Sequence, residues 1–149
     1  MKNKLILILA VFSLIFIIAC GSKENIRIGS ILPLSGDAAT LGQASRQAIE
    51  LAIEEVNAAG GVNGRQIEML FENGGCGPKD ATNAANKLAN IDKVPVILGG
   101  LCSSETIAAA PIVESNKIVL FSPCSSNPGI TNAGDYIFRV IVSDSFQGK

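Results

Sequence analysis

From Ile26 onward, short apolar runs alternate with stretches whose apolar positions recur every three or four residues. Ile26–Leu32 (IRIGSIL) is predicted as a strand, and Pro33-Leu34-Ser35-Gly36-Asp37 as the loop leaving it. Residues 43–59 carry the clearest helical period. Ala44, Ala48, Leu51, Ala52 and Val56 form one stripe, and Gly60-Gly61 ends it. Residues 65–71 read as a second strand, followed by the glycine-rich Asn73-Gly74-Gly75-Cys76-Gly77. Pro78 stands where a helix begins, with Ala81, Ala84, Ala85, Leu88 and Ala89 as its apolar face. Residues 94–98 form a third strand, 104–115 a helix, 118–121 a fourth strand and 136–140 one more. Strands separated by helices of this length predict an α/β fold, a parallel sheet with helices on both faces. Right-handed crossovers make it doubly wound.

The residues ahead of this pattern read differently. Lys2 and Lys4 precede an apolar run over 5–18 that is broken only by Ser13, and a polar Gly21-Ser22-Lys23-Glu24 follows Ala19 and Cys20. This is the tripartite pattern of a secretory signal over residues 1–19, with 20–25 as a tether. As a helix the run reaches roughly 21 Å, short of a hydrocarbon core of about 30 Å. An uncleaved anchor helix is the competing reading. Ile17-Ile18-Ala19-Cys20 resembles a bacterial lipobox, although lipoboxes prefer leucine first and a small residue second. Cys20 is therefore the candidate lipidation site. The expected location is extracytoplasmic, in the periplasm or on the outer face of the cell membrane, held by a lipid anchor.

Composition narrows the chemistry. The 149 residues are 48% hydrophobic and 17% charged, with a formal net charge of −1, which fits one folded domain rather than a disordered chain. No basic cluster after the first residues attracts a phosphate backbone, so no nucleic-acid partner is expected. The absence of histidine removes Ser-His-Asp and Cys-His pairs and the commonest transition-metal ligand. No GxxxxGK[ST], no GxGxxG after a strand and no GxSxG elbow occurs, so nucleotide-binding and hydrolase readings lack their signatures. No enzyme activity, cofactor or metal is expected.

In such a sheet, ligands sit beyond the carboxyl ends of the strands, where strand order reverses. Loops 33–42, 99–104 and 122–127 leave those ends, and their small residues let backbone amides approach a ligand. Strands one, three and four, if adjacent, would gather the loops around one crevice. In Gly99-Gly100-Leu101-Cys102-Ser103-Ser104-Glu105, Ser103 or Ser104 would cap the next helix and turn its amides to the crevice, suiting a carboxylate or phosphate. The spacing leaves open whether these serines bind or only cap. Cys76 and Cys102 fall in loops at the same sheet edge and are the expected disulfide, with Cys102–Cys124 as a rival pairing. Cys124 otherwise reads as a small apolar residue.

Several segments, in order, resemble the branched-chain amino-acid (leucine/isoleucine/valine) binding proteins of ABC transporters, within the type I periplasmic binding-protein fold. They are IRIGSILPLSG, EEVNAAGGVNGRQIE, CGPKDATNAANKLA, VILGGLCSSET, FSPCSSNPGIT and YIFRVIVSDSFQG. The resemblance implies a disulfide between Cys76 and Cys102, and Ser103 as the residue that binds the ligand carboxylate. It implies that Cys124 and Ser126 hold the amino-acid backbone groups, where family members carry alanine and threonine. Leu41 falls where they carry an aromatic beside the ligand side chain.

The resemblance further implies a solute-binding protein that hands an amino acid to a membrane permease, its two lobes closing on the ligand. Residues 26–149 correspond to a partial N-terminal lobe, so the second lobe, with its aromatics and its acid for the ligand ammonium, is expected to be absent and binding by this chain alone weak. The other readings are a sensor domain of a receptor on the same fold and a binder of another small carboxylate or amide.

Overall fold

The computed structural model describes residues 24–147; the expected signal segment and the lipidation candidate Cys20 lie outside them. Five parallel strands form one sheet: β1 (Ile26–Leu32), β2 (Ile67–Asn73), β3 (Val96–Gly99), β4 (Val119–Ser122) and β5 (Ile137–Arg139), in the order β2-β1-β3-β4-β5. The helices between them are α1 (Ala39–Ala58), α2 (Pro78–Asn86, continued by a wider turn over Lys87–Ile91), α3 (Ser103–Asn116) and a short α4 (Asp144–Gln147). The chain leaves β1 outward to β2, then crosses back to β3, so strand order reverses between β1 and β3. The predicted doubly wound parallel α/β sheet is what forms.

Period-two alternation assigns the faces. Ile31, Ile97 and Leu120, all 0% exposed, point to one side, where α2 and α3 pack with Ala81, Ala85, Leu88, Ala109 and Val113. Gly29 makes this fit close: a Cβ there would stand 2.9 Å from a Leu88 methyl. On the other side α1 lies over β1 and β2. Leu98, Phe121 and Phe138 are cross-strand neighbours on that side, and Phe121 and Phe138 remain 37% and 49% exposed.

The stripe read on α1 is not its packing face. Leu51 and Val56 are exposed, as are Ala44 and Ala52, while Ser45, Arg46, Ile49, Ile53 and Asn57 are half-buried. Both sets repeat at about 3.6 residues, so periodicity alone cannot choose between them. Packing and polar pairing decide. The Asn57 side chain accepts from the Ile67 amide (2.7 Å) and donates to its carbonyl (2.9 Å), satisfying the start of edge strand β2. Arg46 meanwhile stacks over Phe71 at 4.7 Å.

Boundaries also move. Strand β2 begins two residues later than read, because Arg65 belongs to a tight turn with Val62 and donates to the Glu24 and Asn25 carbonyls. Helix α1 begins four residues earlier, which puts Leu41 inside it.

Leu120→Ala is expected to cost about 2–5 kcal/mol, the range for deleting a fully buried leucine. Phe121→Ala, one residue along on the open face, should cost less despite losing a larger side chain. Urea denaturation midpoints of the two variants give the order. The reverse order would mean that the face bearing Phe121 is covered in solution.

Candidate functional site

Strands β1, β3 and β4 are neighbours, so the loops leaving their carboxyl ends share one rim. Gly99 ends β3 with φ of +125°, and a Cβ there would lie 2.1 Å from the Ile31 carbonyl oxygen. Only glycine turns the chain so tightly against β1. The next carbonyl, that of Gly100, is where the rim is knit together. Ser122 Oγ (2.8 Å), Ser125 Oγ (2.9 Å) and Thr106 Oγ1 (3.1 Å) all lie within hydrogen-bond distance of it.

Thr106 and Ser125 also bond each other at 2.7 Å. Each hydroxyl carries one proton, so one of this pair donates to Gly100 and the other to its neighbour. Ser122 Oγ in turn accepts from the Ser125 amide (3.1 Å). All three side chains are 0% exposed. The network fastens the loop after β3 to the loop after β4 and to the first turn of α3. From β5, Arg139 clips the same loop, donating to the Asn127 carbonyl (2.8 Å) and to Thr131 Oγ1 (2.7 Å).

Neither expected serine caps α3. The N-cap is Cys102, in extended backbone geometry, and Glu105 does the capping, its Oε2 accepting from the Cys102 amide at 3.0 Å. The disulfide between Cys76 and Cys102 (Cα–Cα 5.3 Å) joins Cys102 to the β2 loop, and the N-cap lies one residue ahead of Ser103. The serines are released for other partners. Ser104 Oγ donates to the Cys76 carbonyl (2.7 Å), and Ser103 Oγ accepts from the Asn127 amide at 3.3 Å.

That last contact joins the two loops that carry the candidate serines: Ser103 on α3 and Ser126, half-buried, one residue before Asn127. Cys124 is a free, exposed thiol on the same loop. It lines an apolar hollow of about 310 Å³ with Leu32, Leu98, Leu101 and Phe121. Ser103, Ser126 and Leu41 do not line that hollow. Leu41 stands in the first turn of α1, 55% exposed. The hollow is largely the bare sheet face beside α1, and its lining is that of a packing surface. A polar hollow of about 500 Å³ lies at the opposite end of the strands, beside the amino ends of β1 and β3. Two of its cations, Arg27 and Arg65, are already engaged by Asp92 and by backbone carbonyls.

Among the described residues, Cys76, Cys102 and Glu105 are the group whose donor atoms converge, within 4.8 Å. With both sulfurs in the disulfide, one carboxylate remains, too few ligands for zinc. Burial raises the Glu105 pKa above its ordinary 4.5, and hydrogen bonds from the Cys102, Cys76 and Leu101 amides oppose that rise. Sequence reading missed Glu105, Thr106, Ser122, Ser125 and Arg139. Only Glu105 had a signal: a glutamate three residues after a helix N-cap.

Two outcomes test this geometry. Ser122→Ala should destabilise by about 1–3 kcal/mol, since a buried carbonyl and amide lose a partner; a change below about 0.5 kcal/mol by denaturation would contradict the network. An acid with a raised folded pKa binds its proton more tightly when folded. The contribution of Glu105 to stability is therefore full below pH 4.5 and lost as pH rises through the raised value. The stability difference between wild type and Glu105→Gln should change with that sign above pH 4.5, and a pH-independent difference would contradict it.

A family model described as periplasmic binding protein matches residues 25–149. The chain is 39% identical over 128 residues to the leucine-, isoleucine-, valine-, threonine-, and alanine-binding protein of Pseudomonas aeruginosa, covering 85% of this chain and 34% of the relative. It is 33% identical over 149 residues to the leucine-specific-binding protein of Salmonella typhimurium, covering 99% and 40%. The structure superposes on LivJ, the branched-chain amino acid transporter substrate binding protein of Streptococcus pneumoniae in complex with isoleucine, with a TM-score of 0.78 at 32% identity; 81% of this chain and 35% of that one are covered. It also superposes on a solute binding protein of an ABC transporter from Rhodopseudomonas palustris in complex with 3,4-dihydroxy benzoic acid, with a TM-score of 0.73 at 28% identity, covering 80% and 32%. The chain thus spans between a third and two fifths of the length of its curated relatives. A parallel sheet with its strand-order reversal beside a rim of small-residue loops, matched by a family model over nearly all the described residues, leads to one conclusion: the chain belongs to the periplasmic binding protein family.

Proposed function

We propose that these residues are the first-lobe half of an amino-acid site in an extracytoplasmic solute-binding lipoprotein, one that captures branched-chain amino acids for an ABC importer. The observation that carries the reading is the contact between Ser103 Oγ and the Asn127 amide. It draws the start of α3 and the loop holding Ser126 together at the strand-order reversal. A ligand carboxylate would meet Ser103 and the positive end of α3, the amino-acid backbone groups would be held by the Cys124 main-chain carbonyl and the Ser126 hydroxyl, and the side chain would lie toward Leu41.

Binding, closure of a second lobe and handover to a permease need no bond to be made or broken. The relatives are themselves binding proteins, not enzymes, which supports that reading. Cys20 would carry the lipid that keeps the protein at the membrane.

The first test is calorimetric titration of leucine, isoleucine and valine into a protein carrying both lobes. Ser103→Ala should weaken binding about ten- to hundredfold, the effect of losing a hydrogen bond to a charged group. Unchanged affinity would remove Ser103 from the site. The 149-residue chain alone should bind weakly, and micromolar leucine binding to it would refute the need for a second lobe.

One relative binds an aromatic acid, which favours a second reading in which the solute is another small carboxylate. A 3,4-dihydroxybenzoate arm of the same titration separates the two, since saturation by the aromatic acid and not by leucine selects the latter reading. Lipidation is tested independently: Cys20→Ala should abolish acyl labelling and membrane retention, and persistent labelling would exclude the anchor.

A further inference from the structure

We infer that Glu105 is a positioning residue for the rim, a second strap between the loops after β2 and β3 that works beside the disulfide and holds Ser103 in place. The side chain is 0% exposed and spans both loops, with Oε1 accepting from the Cys76 amide (3.1 Å) and Oε2 from the Cys102 amide (3.0 Å). Both loops leave room for it. A Cβ on Gly74 would stand 2.3 Å from Oε1, and one on Gly100 would stand 2.4 Å from the Glu105 Cβ.

No cation among the described hydrogen bonds and ion pairs meets this carboxylate. A carboxyl group buried without a cation and held only by backbone amides costs desolvation that the hydrogen bonds offset only in part, in line with the direction of its pKa. Its geometry is thus fixed by what it joins. It joins the same two loops as the disulfide, and the bond from Ser104 Oγ to the Cys76 carbonyl runs alongside. With Cys102 at the N-cap and Glu105 at the third helical position, the strap sets where α3 starts and so where Ser103 points.

The role in ligand binding rests on the proposed function; the strap itself does not. Amide hydrogen exchange of the full chain, with no ligand present, tests it through a cycle of four proteins: wild type, Cys76→Ser with Cys102→Ser, Glu105→Asp, and the combination. Aspartate is one methylene shorter. It can cap its own helix at Cys102 but cannot span to Cys76.

In Glu105→Asp the Cys76 amide should exchange at least about tenfold faster, while Ile97 and Leu120 in the core keep their rates. In the combined variant the Asn127 amide, which donates to Ser103 Oγ, should accelerate by more than the product of the two separate changes, because either strap alone keeps the loops together. An unchanged Cys76 amide, a uniform shift of core and loop amides, or simple multiplication in the combined variant would each overturn the inference. If the cysteine variant does not fold, reduction of the wild type and of Glu105→Asp with a dithiol supplies the same cycle. Gly74→Ala, which pushes on the carboxylate from the other loop, should reproduce the faster Cys76 exchange. A failed strap shows in these loop rates; a failed ligand reading shows as no titration response from a protein whose loop rates are intact.

Discussion

The carbonyl oxygen of Gly100 is buried at the end of β3, away from water, and three hydroxyls close on it from two other segments. A buried carbonyl without a partner costs about 1–3 kcal/mol, so this oxygen constrains everything around it. Ser122 must end β4, Ser125 must lie in the loop beyond, and Thr106 must sit in the first turn of α3. Once these positions are taken, Ser103 and the loop carrying Ser126 face one another with little freedom left. The glutamate and the disulfide hold the other flank of α3 in the same way, against the loop after β2.

The two sheet faces divide the labour. The face under α2 and α3 carries the fully buried core, Ile31, Ile97, Leu120 and Leu88, and the small alanines of both helices let them pack closely upon it. The other face is covered by α1 over β1 and β2, while Phe121 and Phe138 stay open among the described residues. The rim lies at the carboxyl end of the closed half, where strand order reverses. A rigid scaffold with short, glycine-bearing loops is the arrangement that lets backbone amides point at a small anion without being buried themselves.

Strand β1 was legible residue for residue, because a short isoleucine-rich run ends at a proline. The parallel order followed from helices between strands. The face of α1 was not legible, since an alanine-rich stripe and an Ile49/Ile53 stripe share one period, and only the bonds from Asn57 to Ile67 select between them. Of the site, Ser103 and Ser126 stood out through resemblance. The serines of the Gly100 network could not stand out, because their partners are 19 to 25 residues away and no local spacing encodes such a meeting. Glu105 was half visible: its place in a capping box is local, whereas its reach to Cys76 depends on β2 lying two strands from β3.

The start of α3 and the loop after β4 are proposed to form one anchor for a ligand's acid group, and a crystal structure of a two-lobed form grown with leucine would show it. The ligand carboxylate is expected within about 3.2 Å of Ser103 Oγ and of the first free amides of α3. A leucine seated instead in the apolar hollow over Phe121, with Ser103 still bonded only to Asn127, would contradict it.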